Sequence, residues 1–295
     1  MEKRTDETMM KLILHVAEQD ERIRAAVMNG SRANPKVKPD EYADYDVVYY
    51  VENLPAFTAD HAWVNVFGER LIMQMPEDKV LPPPDRNGRF PYLMQFTDGN
   101  RIDLTLVSAG DIPLPEDTDS LTVVLLDKDG RLGRLRSPSD HDYRVHRPSQ
   151  KQFEDVINEF WWVALYTSKG LGRREILYAK GTLEGPVRTA FMQMLRWYAG
   201  TCTNFEANTG AFDKWLPLYL EKDLWDSVLK TYSNAEHDAI WKSLIRMAAI
   251  FTDVSERTGK ALGYAASFEG PEVYRELMKQ KQQQEVAQDI GKHTT

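Results

Sequence analysis

Cysteine is nearly absent: Cys202 is the only thiol in 295 residues. One thiol excludes an internal disulfide framework and a four-thiolate zinc site, and Cys202 is expected to be a small core residue in a reducing compartment. Histidine is sparse as well. The six (His15, His61, His141, His146, His237, His293) form no HxxxH or HExxH pair, so a histidine-built metal site is not expected. No apolar run approaches the ~18 residues that cross a bilayer. The opening MEKRTDETMM has neither the apolar core nor the small-residue cleavage site of a signal peptide. A soluble, cytoplasmic protein without a membrane partner is expected. Basic residues are outnumbered, with 37 Lys and Arg against 45 Asp and Glu and a formal charge of -8. That balance argues against a nucleic-acid partner, whose binders are normally basic, and suits a cationic one.

What is present reads as globular. Hydrophobic residues make up 42% and charged residues 28%, which excludes wholesale disorder, and the length suits about two domains. The first half carries strand signals. After a helix marked by Met9, Leu12, Ile13 and Val16 comes the apolar stretch Ala25 to Met28, ending at Asn29-Gly30. Val47 to Val51 reads as a strand, and Leu93 to Thr97, Asp98-Gly99-Asn100 and Arg101 to Val107 as a hairpin with Asp-Gly turn chemistry. Leu121 to Leu126 is a further strand. Pro82, Pro83 and Pro84 mark irregular structure.

From Pro148 the period becomes helical. Phe153, Val156, Ile157, Phe160 and Ala164 make one face. Pro186 looks like a first-turn proline before Val187, Ala190, Phe191, Met194, Leu195 and Tyr198. Asn234 is the expected cap of a helix carrying Trp241, Leu244, Ile245 and Ala248. The resulting expectation is an α+β chain: a mixed sheet with flanking helices over 1–147, a helical bundle over 148–275, and a polar, Gln-rich tail over 276–295 that is frayed or disordered.

Three pieces of the first half belong together: Gly30-Ser31-Arg32 after a short strand, Asp44-Tyr45-Asp46 at the start of the next, and Ile102-Asp103-Leu104 in the hairpin. Side chains alternate along a strand, so Asp44 and Asp46 share a face opposite Tyr45 and Val47. Asp103 is a third carboxylate on a strand, where Asp is disfavoured. Three clustered carboxylates repel one another unless a cation sits among them. Magnesium suits that need, being hard and usually held by one or two carboxylates plus substrate phosphates. Gly30 lets a phosphate approach the backbone, Ser31 offers N–H and hydroxyl donors, and Arg32 a bidentate contact. A lone Gly-Ser or Asp-x-Asp is common in turns; the three pieces in this order on strands are far more specific.

The order Gly30-Ser31, twelve residues, Asp44-x-Asp46, then a separate Asp103 resembles the signature of the nucleotidyltransferase (polymerase-beta-like) superfamily. More narrowly, GSRANPKVKPDEYADYDVVYYV, MQMPED at 73–78, DGNRIDLTL, LLDKDG, NEFWWVALYTSKGLGRREILYAK and WKSL at 241–244 resemble the aminoglycoside 6-adenylyltransferases that modify streptomycin. The resemblance runs from about residue 5 to about 265 and departs at Asn29, where an acidic or basic residue is usual. It implies an enzyme that moves AMP from ATP onto a hydroxyl of an aminoglycoside, streptomycin first, and releases pyrophosphate. Asp44 and Asp46 would bind magnesium, Gly30, Ser31 and Arg32 would contact the triphosphate, and Asp103 would be a second-metal ligand or the general base.

The resemblance also gives the helical half a task. Glu159, Trp162, Tyr166 and Lys169 fall at steps of three, four and three, away from the Phe153 face. Glu159 and Trp162 suit a guanidinium-bearing substrate through ion pairing and cation–π contact; a solvated helix surface is the plainer alternative. Lys169 would reach the triphosphate, as a lysine of this helix does in related nucleotidyltransferases. Competing readings keep the fold and change the acceptor to a lincosamide, another hydroxyl compound or a protein side chain, or keep only nucleotide binding without catalysis. Retention of Asp44, Asp46 and Asp103 argues against the last. A monomer or homodimer is expected.

Overall fold

The computed structural model describes residues 2–264 and 270–293. The chain divides into two compact units, one ending at Asp142 and the other starting at Tyr143, where the change of hydrophobic period suggests a break at 147/148.

The first unit is built on a six-stranded mixed sheet in the order β3-β4-β5-β2-β1-β6. Its strands are β1 (Ile23–Asn29), β2 (Tyr45–Val51), β3 (Arg70–Gln74), β4 (Arg89–Phe96), β5 (Arg101–Ser108) and β6 (Val123–Asp127). Alternation is clear on β4 and β5, whose residues are buried in a period of two. Asp98, Gly99 and Asn100 form the expected hairpin turn between them; Gly99 has φ +83°, a conformation glycine adopts without strain. β2 and β5 are parallel and all other pairs antiparallel. Helix α1 (Asp6–Gln19) is capped by the Thr5 hydroxyl, which accepts the Thr8 N–H. It buries Met9, Ile13 and Ala17 in one core with Tyr45, Val47, Tyr49, Tyr92, Leu104 and Leu106 of the sheet. Strand β3 has no alternating burial, because it is an edge strand with Leu71 and Ile72 exposed, and the sequence pattern misses it for that reason.

In the second unit α3 (Gln150–Gly172) opens on a capping box: Ser149 Oγ accepts the Gln152 N–H, and Gln152 returns the bond to the Ser149 N–H. Helices α4 (Ile176–Thr182), α5 (Arg188–Cys202), α6 (Lys222–Leu229), α7 (His237–Leu262) and α8 (Gly270–His293) follow. Phe153, Ile157, Phe160 and Ala164 of α3 are buried as the periodicity predicts. Phe160 stacks on Phe251 of α7 with ring centroids 3.8 Å apart and planes at 6°.

Four local expectations change. Pro186 does not open a helix; it lies inside a widened π-helical turn, Leu183–Val187, that joins α4 to α5. Such a turn accommodates a residue lacking an N–H within a continuing helix. Helix α7 starts at His237 behind Glu236, and Asn234 instead accepts the Glu236 N–H in the preceding turn. Cys202, at the end of α5, is exposed, whereas Tyr198, Ala199 and Gly200 take the buried side of that last turn. The Gln-rich segment expected to fray is helical through His293. Leu277 is buried, and Gln284 accepts the Trp241 indole N–H at 2.9 Å; a long polar helix hides so few anchoring contacts from a hydropathy reading.

Phe251→Ala should destabilise the helical unit by about 3–5 kcal/mol, the usual cost of emptying a buried aromatic site. A urea titration followed by circular dichroism measures it; a loss under about 1 kcal/mol would contradict the stacked pair as a core element.

Candidate active site

Parallel pairing of β2 with β5 aligns Asp46 with Asp103 in register. Registered residues of neighbouring strands project from the same face about 4.8 Å apart, and Asp44 lies two residues earlier on that face. On the other side Asn29, the last residue of β1, pairs with Asp46, so the chain enters Gly30 directly beside that carboxylate. Gly30 has φ +70°, and a Cβ built on it would lie 2.2 Å from Asp46 Oδ2. Only glycine meets both conditions. The single helical turn Gly30–Ala33 places Ser31, half-buried, next along the loop.

Electrostatics mark the same spot. Burial pushes the Asp46 carboxyl up to about 6, and the charges of Asp103 and Asp44 push in the same direction, with Arg101 and Arg32 opposing. Arg101 stands two residues before Asp103 on the same face. Its Nε and Nη2 donate to Asp103 Oδ1 and Oδ2 at 2.8 and 2.6 Å, and its Nη1 is 3.3 Å from Asp44 Oδ2. Sequence reasoning missed Arg101, although strand alternation from Asp103 identifies its face.

Arg32, expected to contact the triphosphate, is also engaged within the protein. Its Nε donates to the Asp44 carbonyl at 2.9 Å and its Nη2 to the Ala43 carbonyl at 2.9 Å. Both terminal nitrogens bond Asp6 at 3.1 and 3.2 Å, and the guanidinium covers the Tyr45 ring at 3.8 Å. With the Arg32 side chain 9% exposed, the residue clips the Gly30 loop to the start of β2 and to α1. Asp6, held below the usual carboxylate range chiefly by that bond to Arg32, also accepts the Tyr45 hydroxyl at 2.7 Å.

In the second unit Glu159, Trp162 and Lys169 are exposed along α3. Trp162 donates its indole N–H to the Tyr166 hydroxyl at 2.7 Å, and the Lys169 ammonium is 5.8 Å from the Tyr166 ring centre. The expected face is thus one continuous polar and aromatic stripe from Trp162 to Lys169.

A family model described as streptomycin adenylyltransferase matches residues 3–280. An aminoglycoside 6-adenylyltransferase of Bacillus subtilis (strain 168) is 37% identical over 267 residues, 88% of this chain and 92% of that protein. The chain belongs to the streptomycin adenylyltransferase family. An aminoglycoside 6-adenylyltransferase of Campylobacter jejuni is 35% identical over 286 residues, 97% of this chain and 99% of its own. A crystal structure of an aminoglycoside 6-adenyltransferase from Bacillus subtilis is 32% identical and covers 94% of this chain and 99% of that one at a TM-score of 0.48. Membership makes the protein an enzyme of the nucleotidyltransferase type.

Such enzymes usually employ a divalent metal, and the residues can be tested for one. Among the described residues no group of three or more His, Cys, Asp or Glu side chains is arranged to hold a metal ion; Arg101 rather than a further ligand lies between Asp44 and Asp103. The donors are nonetheless hard oxygens, and Asp46 is raised by burial and then by its acidic neighbours, a cost that a cation relieves. They fit a cation held by two carboxylates and completed by phosphate oxygens, not an all-protein cage.

Two measurements follow. Gly30→Ala should lower turnover about 100-fold with an unchanged circular dichroism spectrum, since a displacement near 1 Å at a reacting site has that cost; near-normal turnover would contradict the close approach to Asp46. The second concerns pH in the presence of a chelator. Asp46 titrates near 6 when folded against an ordinary value of 3.8, so across that interval the folded chain keeps a proton that the unfolded chain has released. Stability contributed by the protonated group is therefore present at low pH and lost as pH rises through the folded value. Asp46→Asn should match wild type near pH 4 and exceed its stability near pH 7 by roughly 2 kcal/mol, allowing for partial screening by solvent. A difference that stays flat with pH in paired thermal melts would refute the raised carboxyl.

Proposed function

We propose that this protein transfers AMP from ATP to a hydroxyl of an aminoglycoside, with streptomycin as the first acceptor, using magnesium, and thereby inactivates the antibiotic in the cytoplasm. The observation that carries this reading is the alignment of Asp46 and Asp103 on parallel strands, with Asp44 on the same face and Gly30 packed against Asp46. The names of the relatives support the acceptor class.

Asp44 and Asp46 would hold the magnesium, which would neutralise negative charge as the adenylyl group transfers. Gly30 and Ser31 receive the triphosphate through backbone N–H groups and the serine hydroxyl. Asp103 takes the proton of the attacking hydroxyl. The acceptor oxygen bonds to the α-phosphorus of ATP, the bond from that phosphorus to the bridging oxygen breaks, and pyrophosphate leaves. Arg32 keeps the Gly30 loop in place through Asp6 and two carbonyls. On α3, Glu159 and Trp162 receive the cationic drug and Lys169 the triphosphate. A formal charge of -8 favours such an acceptor over nucleic acid. A monomer or homodimer suffices for this scheme.

The test is incubation with ATP, magnesium and a panel of aminoglycosides, followed by mass analysis. Streptomycin should gain one AMP, the gain should vanish with chelator and return with magnesium, and a panel left wholly unmodified would refute the proposal. Asp103→Asn should keep ATP–magnesium binding by calorimetry and lose transfer by ~100-fold or more, the scale of removing a proton acceptor. Wild type should show an acid limb in its pH–rate profile. Collapse of binding in Asp103→Asn would assign Asp103 to the metal; survival of both binding and turnover would remove it from the reaction.

A further inference from the structure

The guanidinium of Arg101 does two things at once. It forks onto both oxygens of Asp103, at 2.8 and 2.6 Å, and it reaches Asp44 at 3.3 Å. Those contacts fill the space between two carboxylates that share a face with Asp46. We propose that Arg101 is the chain's own counter-cation: it neutralises Asp44 and Asp103 in the metal-free protein, and a divalent cation entering at Asp44 and Asp46 displaces it. The inference rests on the reading of Asp44 and Asp46 as metal ligands given above.

Three features support displacement over a fixed structural ion pair. The backbone at Arg101 is anchored from outside the cluster, while its side chain is held, among the described contacts, by the carboxylates of Asp103 and Asp44. The hairpin turn just before it is tied to Arg4, whose Nε donates to the buried Asp98 at 2.6 Å, and Asn100 donates to the same carboxylate at 3.0 Å. The Arg101 side chain itself is 40% exposed, so it can swing toward solvent without opening a core. Second, Arg101 bonds Asp103 and approaches Asp44 but has no hydrogen bond to Asp46 among the described contacts, which leaves the Asp46 side of the cluster open to a second cation. Third, a guanidinium and a divalent cation on the one Asp44 carboxylate repel each other where solvent is partly excluded, which weakens the hold on the guanidinium when the ion enters.

The consequence is competition between a side chain and an ion. A guanidinium is weakly hydrated and offers directional donors to carboxylates, so it holds the cluster together at modest electrostatic cost until a more compact charge replaces it. Removing the guanidinium should leave the carboxylates more repulsive, the metal-free protein less stable, and the metal bound more tightly. A purely structural ion pair would lower stability and leave metal affinity unchanged or weaker.

The experiment is a manganese titration of the full chain without nucleotide, followed by the electron paramagnetic resonance signal of free Mn2+, with thermal melts in chelator and in magnesium. Arg101→Gln should bind Mn2+ about tenfold more tightly than wild type, melt lower in chelator, and gain more from magnesium than wild type does. Arg101→Lys, which keeps the charge but not the fork, should fall between the two. Equal or weaker Mn2+ binding in Arg101→Gln overturns the proposal. Asp46→Asn in the same titration separates the two readings. If it weakens Mn2+ binding while Arg101→Gln changes nothing, only the role of Arg101 fails; if it leaves Mn2+ binding intact, the carboxylates are not the ligands and both fail.

Discussion

Placing a buried carboxylate beside two others is the constraint around which the first unit is organised. Asp46 loses part of its solvation to burial and suffers the charges of Asp44 and Asp103, a combination that something of opposite sign nearby relieves. Arg101 supplies that charge directly, and Arg32 supplies it at longer range while securing the backbone of Asp44. Parallel register between β2 and β5 fixes the spacing, and the glycine at position 30 brings the next loop against the same oxygen.

Much of this was legible in the sequence because it depends on alternation. Asp44 and Asp46 share a face by spacing alone, Asp103 announces itself as an acid on an otherwise apolar strand, and Asp98-Gly99 predicts the hairpin that places it. Contacts that depend on another element were not legible. Arg32 resembles a phosphate ligand by its neighbours in sequence, yet Asp6 from α1 and the carbonyls of Ala43 and Asp44 claim its guanidinium. Arg101 sits on a predictable face, but its fork onto Asp103 and reach to Asp44 are facts of side-chain geometry. Edge strand β3 lacks a burial pattern because consecutive side chains on its two faces, Leu71 and Ile72, are both exposed.

The helical unit shows the same division. The Phe153–Ala164 stripe follows from a period of 3.6 and is buried as expected except at Val156, which is only partly covered. Pro186 and the Gln-rich end mislead a local reading, because a widened turn absorbs the first and a few long-range contacts, among them Trp241 to Gln284, organise the second. Both are cases in which tertiary packing overrides residue preference.

The parallel pairing of β2 with β5 has a kinetic side. Between them in the chain lie β3 and β4, and a parallel pair cannot be closed by a tight turn. Contacts between residues so far apart in sequence carry the loop-closure entropy before any packing rewards it, and they form slowly. The β4–β5 hairpin, closed by a connection of four residues, can zip locally and present Asp103 early. Asp46 joins it only when the centre of the sheet is knitted together, so on the ribosome the carboxylate cluster assembles after the chain through β5 has emerged, and nascent fragments that end before Asp103 lack one of its three acids.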